Sequence, residues 1–172
     1  MENKEIRIAI SGKSGCGNTT VSRLAAEKLG IKFINFTFRS LAQERGLDLR
    51  KALDLADKDD TWDKEIDRRQ VSLALEGSCV LGSRLAIWML PQADLKVYLK
   101  ASPEARAGRI IKREGGTLEE VVRFTTERDS RDRERYLKLY NIDNDVFGFA
   151  DLVIDTDKLS PEAITELIIS CI

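Results

Sequence analysis

Residues 6–20 of the chain read IRIAISGKSGCGNTT, and this stretch decides the fold class. Residues 6–10 form a short apolar run rich in β-branched side chains, which is typical of a strand buried on both faces. A glycine-rich turn follows, and residues 19–29 then carry apolar side chains at helical spacing up to Gly30, which suits a helix C-cap. A strand, a glycine-rich turn and a helix in this order predict the beginning of a parallel α/β sheet.

The rest of the chain repeats this alternation of strands and helices. Further strands are predicted at residues 31–36, 79–81, 95–99 and 151–154. Helices are predicted at 38–45, 59–75, 103–113 and 119–140, the last either continuous or broken, and from residue 161 onward. Because the 172 residues contain no linker-like segment, we expect residues 1–172 to form one α/β domain. Five strands alternating with helices predict a parallel sheet with helices on both faces.

Composition limits the classes of partner. The chain has 28 basic and 29 acidic residues, a net charge of −1, so it lacks the basic excess of a protein that binds nucleic acid polymers. Local basic clusters remain compatible with a small anionic ligand. No apolar run approaches the ~20 residues that a membrane-spanning helix needs, so no membrane partner is expected.

Cysteine and histidine usage limits the chemistry. The three cysteines (Cys16, Cys79 and Cys171) are widely spaced, form no CxxC pair, and accompany no histidine at all. A zinc site, a disulfide framework and a histidine-based catalytic triad are therefore not expected. The pattern indicates a reducing cytoplasm.

The glycine-rich turn matches the phosphate-binding pattern GxxxxGK(S/T) except at one position. In that pattern, glycines let backbone N–H groups converge on an anion, and the following helix contributes the positive end of its dipole. The predicted triphosphate-binding residues are Gly12, Lys13, Ser14, Gly15, Cys16, Gly17, Asn18, Thr19 and Thr20. The hydroxyl of Thr19 is placed to bind a Mg²⁺ ion that bridges the phosphates. The alternative is a glycine-rich turn that binds nothing.

The mismatch is Asn18, which stands where the pattern calls for lysine. Asparagine donates hydrogen bonds but brings no positive charge to the β- and γ-phosphates. Lys13, the second residue of the same loop, can bend back over the phosphates and replace that charge, which makes it a candidate catalytic residue. The alternative is a solvated loop lysine.

Arginines placed after strands and on one late helix suggest a second anion site. Arg39 follows the second predicted strand and Arg84 the third, while Arg128, Arg131 and Arg135 share one face of the late helix at i, i+3 and i+7. A planar guanidinium suits bidentate binding of a phosphate. The alternative is a solvated helix whose arginines pair with the acidic residues beside them: Glu127, Asp129, Asp132 and Glu134.

Several stretches along the whole chain resemble the cytidylate kinases, particularly their short archaeal-type form. Besides the loop, they are FRSLAQERGLDL (38–49), EIDRRQ (65–70), SRLAIWML (83–90), ADLKVYLKASPEARAGRIIKREG (93–115), ERDSRDRERYLKLYNID (127–143) and DLVIDT (151–156). The resemblance implies a three-layer P-loop nucleoside-monophosphate kinase fold, with a monophosphate-binding region at 35–75 and a lid at 114–140. It also implies transfer of the γ-phosphoryl group from ATP, with Mg²⁺, to CMP or dCMP in pyrimidine nucleotide metabolism.

The resemblance also implies roles for individual residues. Arg128 and Arg131 resemble lid arginines that close over the transferring phosphoryl group, where Lys13 would help to neutralise charge. The residues that resemble the acceptor-binding set are Arg39, Asp67, Arg68, Arg84, Asp132 and Arg135.

Three departures from the family pattern lie around the same pocket. Asn18 replaces the loop lysine, Gly82 and Ser83 stand where family members usually have an acidic residue and glycine, and residues 35–37 lack the usual Gly-Asp. They leave open an alternative, a catalytically weak or inactive relative that senses a nucleotide. Another acceptor, such as UMP or shikimate, also remains open, as does the oligomeric state.

Overall fold

A parallel sheet of five strands forms the centre of the protein in the computed structural model, which describes residues 4–172. The strands are β1 (Arg7–Gly12), β2 (Lys32–Ile34), β3 (Cys79–Gly82), β4 (Leu95–Lys100) and β5 (Leu152–Asp155). Their order across the sheet is β2-β3-β1-β4-β5, so β1 lies at the centre between β3 and β4. The five-stranded parallel sheet that the sequence predicts is confirmed.

Helices surround this sheet. They are α1 (Asn18–Leu29), α2 (Phe38–Glu44), α3 (Leu49–Ala56), α4 (Thr61–Leu75), α5 (Ala86–Met89), α6 (Pro103–Glu114), α7 (Leu118–Tyr140) and α8 (Pro161–Ile169). Within residues 4–172, no helix combines the length and hydrophobicity that a membrane span requires.

The central strands are buried on both faces, which makes the architecture three-layered. On one face Ile8, Ile10 and Val97 pack in a cluster that includes Ala25 of α1 and Ile168 of α8. On the other face, a second cluster combines strand residues with α4 and α5: Ala9, Leu81, Tyr98, Ala74 and Ile87 belong to it. Burial on both sides explains why β1 and β3 contain continuous apolar runs rather than an alternation of apolar and polar residues.

The structure contains two helices that the sequence patterns did not indicate. In α3 the buried positions Ala52 and Ala56 are small, whereas Leu53 and Leu55 are exposed, so these two leucines do not mark the buried face. A four-residue helix such as α5 is too short to show a helical period.

The late helix α7 is continuous over 23 residues rather than broken. At its start Thr117 and Glu120 form a capping box, and at its end Asn141 adopts a left-handed conformation with φ 55°. Its two ends are therefore defined by local capping.

The sheet brings the loops that follow β1, β3 and β4 to one edge. Ile10 of β1 is in register with Gly82 of β3, and Gly12 is in register with Leu99 of β4. In open parallel sheets, ligands bind at this carboxyl edge where neighbouring connections diverge.

Candidate active site

The loop between β1 and α1 has the backbone of an anion-binding turn. Gly15 and Gly17 adopt φ angles of 80° and 93°, which side chains rarely allow. The N–H of Cys16 donates to the Lys13 carbonyl at 3.1 Å and closes the turn. Helix α1 begins directly after Gly17, which provides no side-chain cap, so its first N–H groups remain available to a ligand.

Close packing requires glycine in this loop. A Cβ at Gly12 would lie 2.4 Å from Cys16 Sγ and 2.6 Å from the Leu99 carbonyl oxygen. A Cβ at Gly15 would lie 2.8 Å from the backbone oxygen of Arg106. Cys16 is 1% exposed, and burial raises the pKa of its thiol, so it fills space in the core.

The carbonyl oxygens of the loop are bound from outside by residues of α6 and of the segment after β5. Arg106 donates to the Ser14 carbonyl at 3.3 Å, and Arg109 donates to the Gly15 carbonyl at 3.1 Å. The Thr156 hydroxyl donates to the Cys16 carbonyl at 3.2 Å. These bonds hold the loop in place, because the carbonyl oxygens of Ser14, Gly15 and Cys16 already accept hydrogen bonds from the protein.

Sequence reasoning missed these supporting residues. Arg106 and Arg109 are spaced i, i+3 on α6, and this spacing is the signal that could have found them. Arg106 is 6% exposed and forms an ion pair with Asp129 of α7 at 2.8 Å. The loop is therefore connected to α7 through α6.

The side chain of Asn18 is engaged within the protein. Its Nδ2 donates to the Ile10 carbonyl at 2.9 Å and to the Ser83 carbonyl at 3.4 Å. Its Oδ1 accepts a hydrogen bond from the Ser22 hydroxyl at 2.8 Å. A Cβ at Gly82 would lie 3.0 Å from that Oδ1 and 2.5 Å from the Ser22 oxygen, which explains the glycine there. The amide thus joins the ends of β1 and β3.

Lys13 pairs with the segment after α7. Its Nζ lies 2.6 Å from Asp145 Oδ1. Arg133 of α7 binds Asp143 at 2.8 and 2.6 Å and lies 3.4 Å from Asp145. A cavity of about 250 Å³ adjoins this pair, and its lining includes Lys13, Asp145, Lys100, Arg106 and Phe147.

The metal-binding candidate, Thr19, lies exposed in the first turn of α1. Its Oγ1 accepts a hydrogen bond from Asn35 Nδ2 at 3.4 Å. Residues 4–172 contain no group of three or more histidine, cysteine or acidic side chains that could hold a metal. A single hydroxyl nevertheless fits Mg²⁺, which commonly takes one or two protein ligands and completes its shell with phosphate oxygens and water.

A second polar cluster joins the end of β3 to helices α4 and α7. Arg84, just after β3, forms an ion pair with Asp132. Arg135 Nη2 lies 3.1 Å from Asp132, and its Nε lies 3.4 Å from Asp63 of α4. Three of the predicted acceptor-binding residues, Arg84, Asp132 and Arg135, therefore lie together, and the sequence patterns missed Asp63.

Asp67 faces the same cluster. The Tyr140 hydroxyl donates to its carboxylate at 2.7 Å, and burial raises the pKa of Asp67 to about 6. The neighbouring Arg68 is exposed. Of this adjacent pair, only Asp67 forms a hydrogen bond to α7 among the described residues.

The remaining predicted arginines are exposed. Arg39, Arg68, Arg128 and Arg131 have no ion-pair partner within residues 4–172. The pKa of Arg128 is lowered, mainly by partial desolvation and to a smaller extent by the positive charge of Arg84. Arg128 thus lies near Arg84, whereas Arg39 and Arg131 form no ion pair with the cluster in the described part of the chain.

Known proteins resemble the chain over nearly its whole length. A sequence model described as the cytidylate kinase-like family matches residues 7–158. The chain is 46% identical over 167 residues to cytidylate kinase 2 of Borreliella burgdorferi, covering 95% of this chain and 93% of that protein. It is 40% identical over 170 residues to the cytidylate kinase of Pyrococcus horikoshii, covering 98% and 88%.

Similarity to solved structures is evidence for the fold only. The shikimate kinase of Bacteroides thetaiotaomicron superposes with a TM-score of 0.69 at 15% identity and covers 98% of both chains. Sequence and structure therefore agree on a P-loop kinase architecture.

Proposed function

The chain belongs to the cytidylate kinase-like family, and from this membership we propose that it transfers the γ-phosphoryl group of ATP to CMP or dCMP. The products would be ADP and CDP or dCDP. The proposal is supported by two features that lie at the ends of neighbouring strands. The uncapped N-terminus of α1 follows β1, and the cluster of Arg84, Asp132 and Arg135 lies at the end of β3. The first suits a triphosphate, and the second suits the monophosphate nucleotide that receives the phosphoryl group.

In this proposal, residues 12–20 bind the triphosphate mainly through backbone N–H groups and the dipole of α1. Arg106 and Arg109 act as positioning residues, since they donate hydrogen bonds to carbonyl oxygens of the loop. Mg²⁺ bound at Thr19 would neutralise charge on the β- and γ-phosphates.

The acceptor oxygen needs no catalytic base, because a nucleoside monophosphate is already ionised near neutral pH. That oxygen attacks the γ-phosphorus, the bond from phosphorus to the β–γ bridging oxygen breaks, and the electron pair stays on ADP. Arg39 and Arg84 hold the acceptor phosphate in this scheme, while Arg128 and Arg131 neutralise charge on the transferring group. Such stabilisation, together with positioning, supplies most of the catalysis of phosphoryl transfer.

Lys13 is the proposed replacement for the cation that Asn18 does not supply. Its ammonium group exchanges Asp145 for a phosphate oxygen when ATP binds. The structural support is the position of Lys13 at the second residue of the loop and the exposure of its partner, since an exposed ion pair exchanges readily.

We assign residues 35–75 to the monophosphate-binding region and residues 114–140 to a lid. Gly115 and Gly116, with φ angles of 81° and 104°, connect α6 to α7 and provide the backbone freedom that a closing segment needs. Closure would exclude water, which competes with the acceptor. The proposal places the reaction in the cytoplasm, where ATP is available.

A coupled assay of ADP release across nucleoside monophosphates tests the function. We expect ADP formation that depends on CMP or dCMP and on magnesium. If calorimetry detects nucleotide binding but no acceptor raises ADP release above background, the protein is a nucleotide sensor. Release that depends on UMP or shikimate would instead redefine the acceptor.

A further inference from the structure

The cavity of about 250 Å³ beside the glycine-rich loop lies between the end of β4, the start of α6 and the segment after α7. Its lining contains Lys13 and Cys16 of the loop, but none of residues 17–20, where α1 begins. It also contains no residue of the acceptor cluster around Arg84. The cavity is therefore distinct from the two places to which the proposed reaction assigns its nucleotides.

Positive charge predominates around this cavity. Lys13, Lys100 and Arg106 line it, against the single carboxylate of Asp145. Lys13 pairs with Asp145 at 2.6 Å, and Arg106 pairs with Asp129 of α7 at 2.8 Å. Lys100 has no ion-pair partner within residues 4–172. One of the three cations is therefore left without an opposite charge, which favours an anionic ligand.

Buried hydrogen-bond donors accompany these charges. Arg106 is 6% exposed, and its two Nη atoms donate to the Ser14 carbonyl and to Asp129. Its Nε, however, is buried without a hydrogen-bond partner within residues 4–172. Tyr98 also lines the cavity, and burial raises the pKa of its hydroxyl, which therefore keeps its proton and can donate. Because an unpaired buried donor is costly, a ligand with acceptor atoms would stabilise this lining.

The size of the cavity limits the ligand. Pockets for drug-sized molecules have volumes of roughly 300–1,000 Å³, so a cavity of about 250 Å³ is too small to enclose a nucleotide. It is nevertheless much larger than the roughly 30 Å³ that one water molecule occupies in the liquid. A phosphate-class oxyanion combines negative charge with several acceptor oxygens, and both suit ammonium and guanidinium donors.

We propose that this cavity is a binding site for a small phosphate-class anion, held by Lys13, Lys100 and Arg106. The site is additional to the nucleotide sites of the proposed reaction. It also has a consequence for turnover, which rests on the proposed function. Since the reaction assigns the ammonium group of Lys13 to an ATP phosphate, an anion in the cavity would retain that group and lower kcat.

Calorimetric titration of the wild-type protein with inorganic phosphate tests the site. The protein is first saturated with ADP, so that a diphosphate already occupies the glycine-rich loop. Sodium chloride of equal ionic strength serves as the control titrant, because exposed charges attract any anion. We expect saturable binding of one phosphate that persists in the presence of ADP. Phosphate binding that ADP abolishes, or heat no greater than that of chloride, overturns the proposal.

Variants place the bound phosphate in the cavity. Lys100→Ala should weaken phosphate binding about 10-fold, whereas Lys100→Arg should retain it. Tyr98→Phe removes only the hydroxyl, keeps a ring to stack on Phe147, and should also weaken binding. The matched control is Lys112→Ala, because Lys112 is exposed on α6 and does not line the cavity. Equal weakening in Lys100→Ala and Lys112→Ala would indicate diffuse attraction and would contradict the site.

Turnover measurements separate the site from its consequence. At saturating ATP and CMP, phosphate concentrations that fill the cavity should lower the wild-type kcat about 10-fold, and Lys100→Ala should need more phosphate for the same effect. An unchanged kcat with the cavity filled overturns the link through Lys13. If the protein phosphorylates no nucleoside monophosphate, the proposed function fails, while the calorimetric result still decides whether the cavity binds phosphate.

Discussion

Replacing Asn18 with alanine should lower the free energy of unfolding, because its amide connects two strand ends in the absence of any ligand. The substitution removes the 2.9 Å bond to the Ile10 carbonyl, the 3.4 Å bond to the Ser83 carbonyl and the 2.8 Å bond from Ser22. The Ile10 carbonyl still accepts from the Ser83 N–H at 3.1 Å, whereas the fully buried Ser22 hydroxyl loses its acceptor.

The expected magnitude follows from these bonds. Two well-formed hydrogen bonds at about 1 kcal/mol each give a loss of about 2 kcal/mol. For a chain of this size, that corresponds to a fall in melting temperature of roughly 4–8 °C. At neutral pH, Asn18→Asp should lower the free energy of unfolding more than Asn18→Ala does. The aspartate directs a carboxylate oxygen at the two carbonyl oxygens to which the asparagine N–H groups now donate.

Thermal and urea unfolding followed by circular dichroism, without nucleotide, measure both variants. Thr20→Ala is the matched control, since Thr20 is exposed in the same turn of α1 and makes no side-chain hydrogen bond among the described residues. If Asn18→Ala unfolds with the wild-type midpoint, or if Asn18→Asp is the more stable variant, the amide does not connect the strands and the reasoning is refuted.

Two further predictions concern charge. Lys13→Ala should reduce kcat about 100-fold or more while leaving the melting temperature nearly unchanged, since its partner Asp145 is exposed and such ion pairs add little stability. The control variant Asp145→Asn, measured in the same assay, should retain turnover. A Lys13→Ala enzyme with wild-type kcat would exclude the lysine from catalysis. Burial raises the pKa of Asp67 to about 6, so the folded protein binds the proton of this carboxyl group more tightly than the unfolded chain does. Protonated Asp67 therefore adds to the free energy of unfolding at low pH, and this contribution is lost as the pH rises through about 6. Between pH 5 and pH 7.5 the wild-type protein should therefore lose about 1 kcal/mol more stability than Asp67→Asn in urea titrations, and parallel pH profiles would contradict the raised pKa.

Local patterns were sufficient for most of the fold. Strand β1, the glycine turn and α1 follow from β-branched residues, positive-φ glycines and helical spacing, all of which act within a few residues. The patterns failed at α3, where Ala52 and Ala56 are buried while Leu53 and Leu55 are exposed, and at α5, which is shorter than a helical period can reveal.

The candidate site was predictable in part. The motif identifies the loop residues, and family resemblance identifies Arg84, Asp132 and Arg135, which the structure brings together. Neither source identified Arg106, which binds a loop carbonyl oxygen, or Asp63, which lies beside Arg135.

The sequence by itself determined the sheet, the phosphate-type loop and the residue types available near it, because periodicity, glycine conformations and motif spacing are local properties of the chain. Only the tertiary structure decided where side chains point: Asn18 into the protein, Lys13 toward Asp145, and the carboxylates of α4 toward α7. Asp63 and Arg135 are far apart in sequence and meet only when α4 and α7 come together in the fold. Such contacts depend on long-range packing, which no short stretch of sequence encodes.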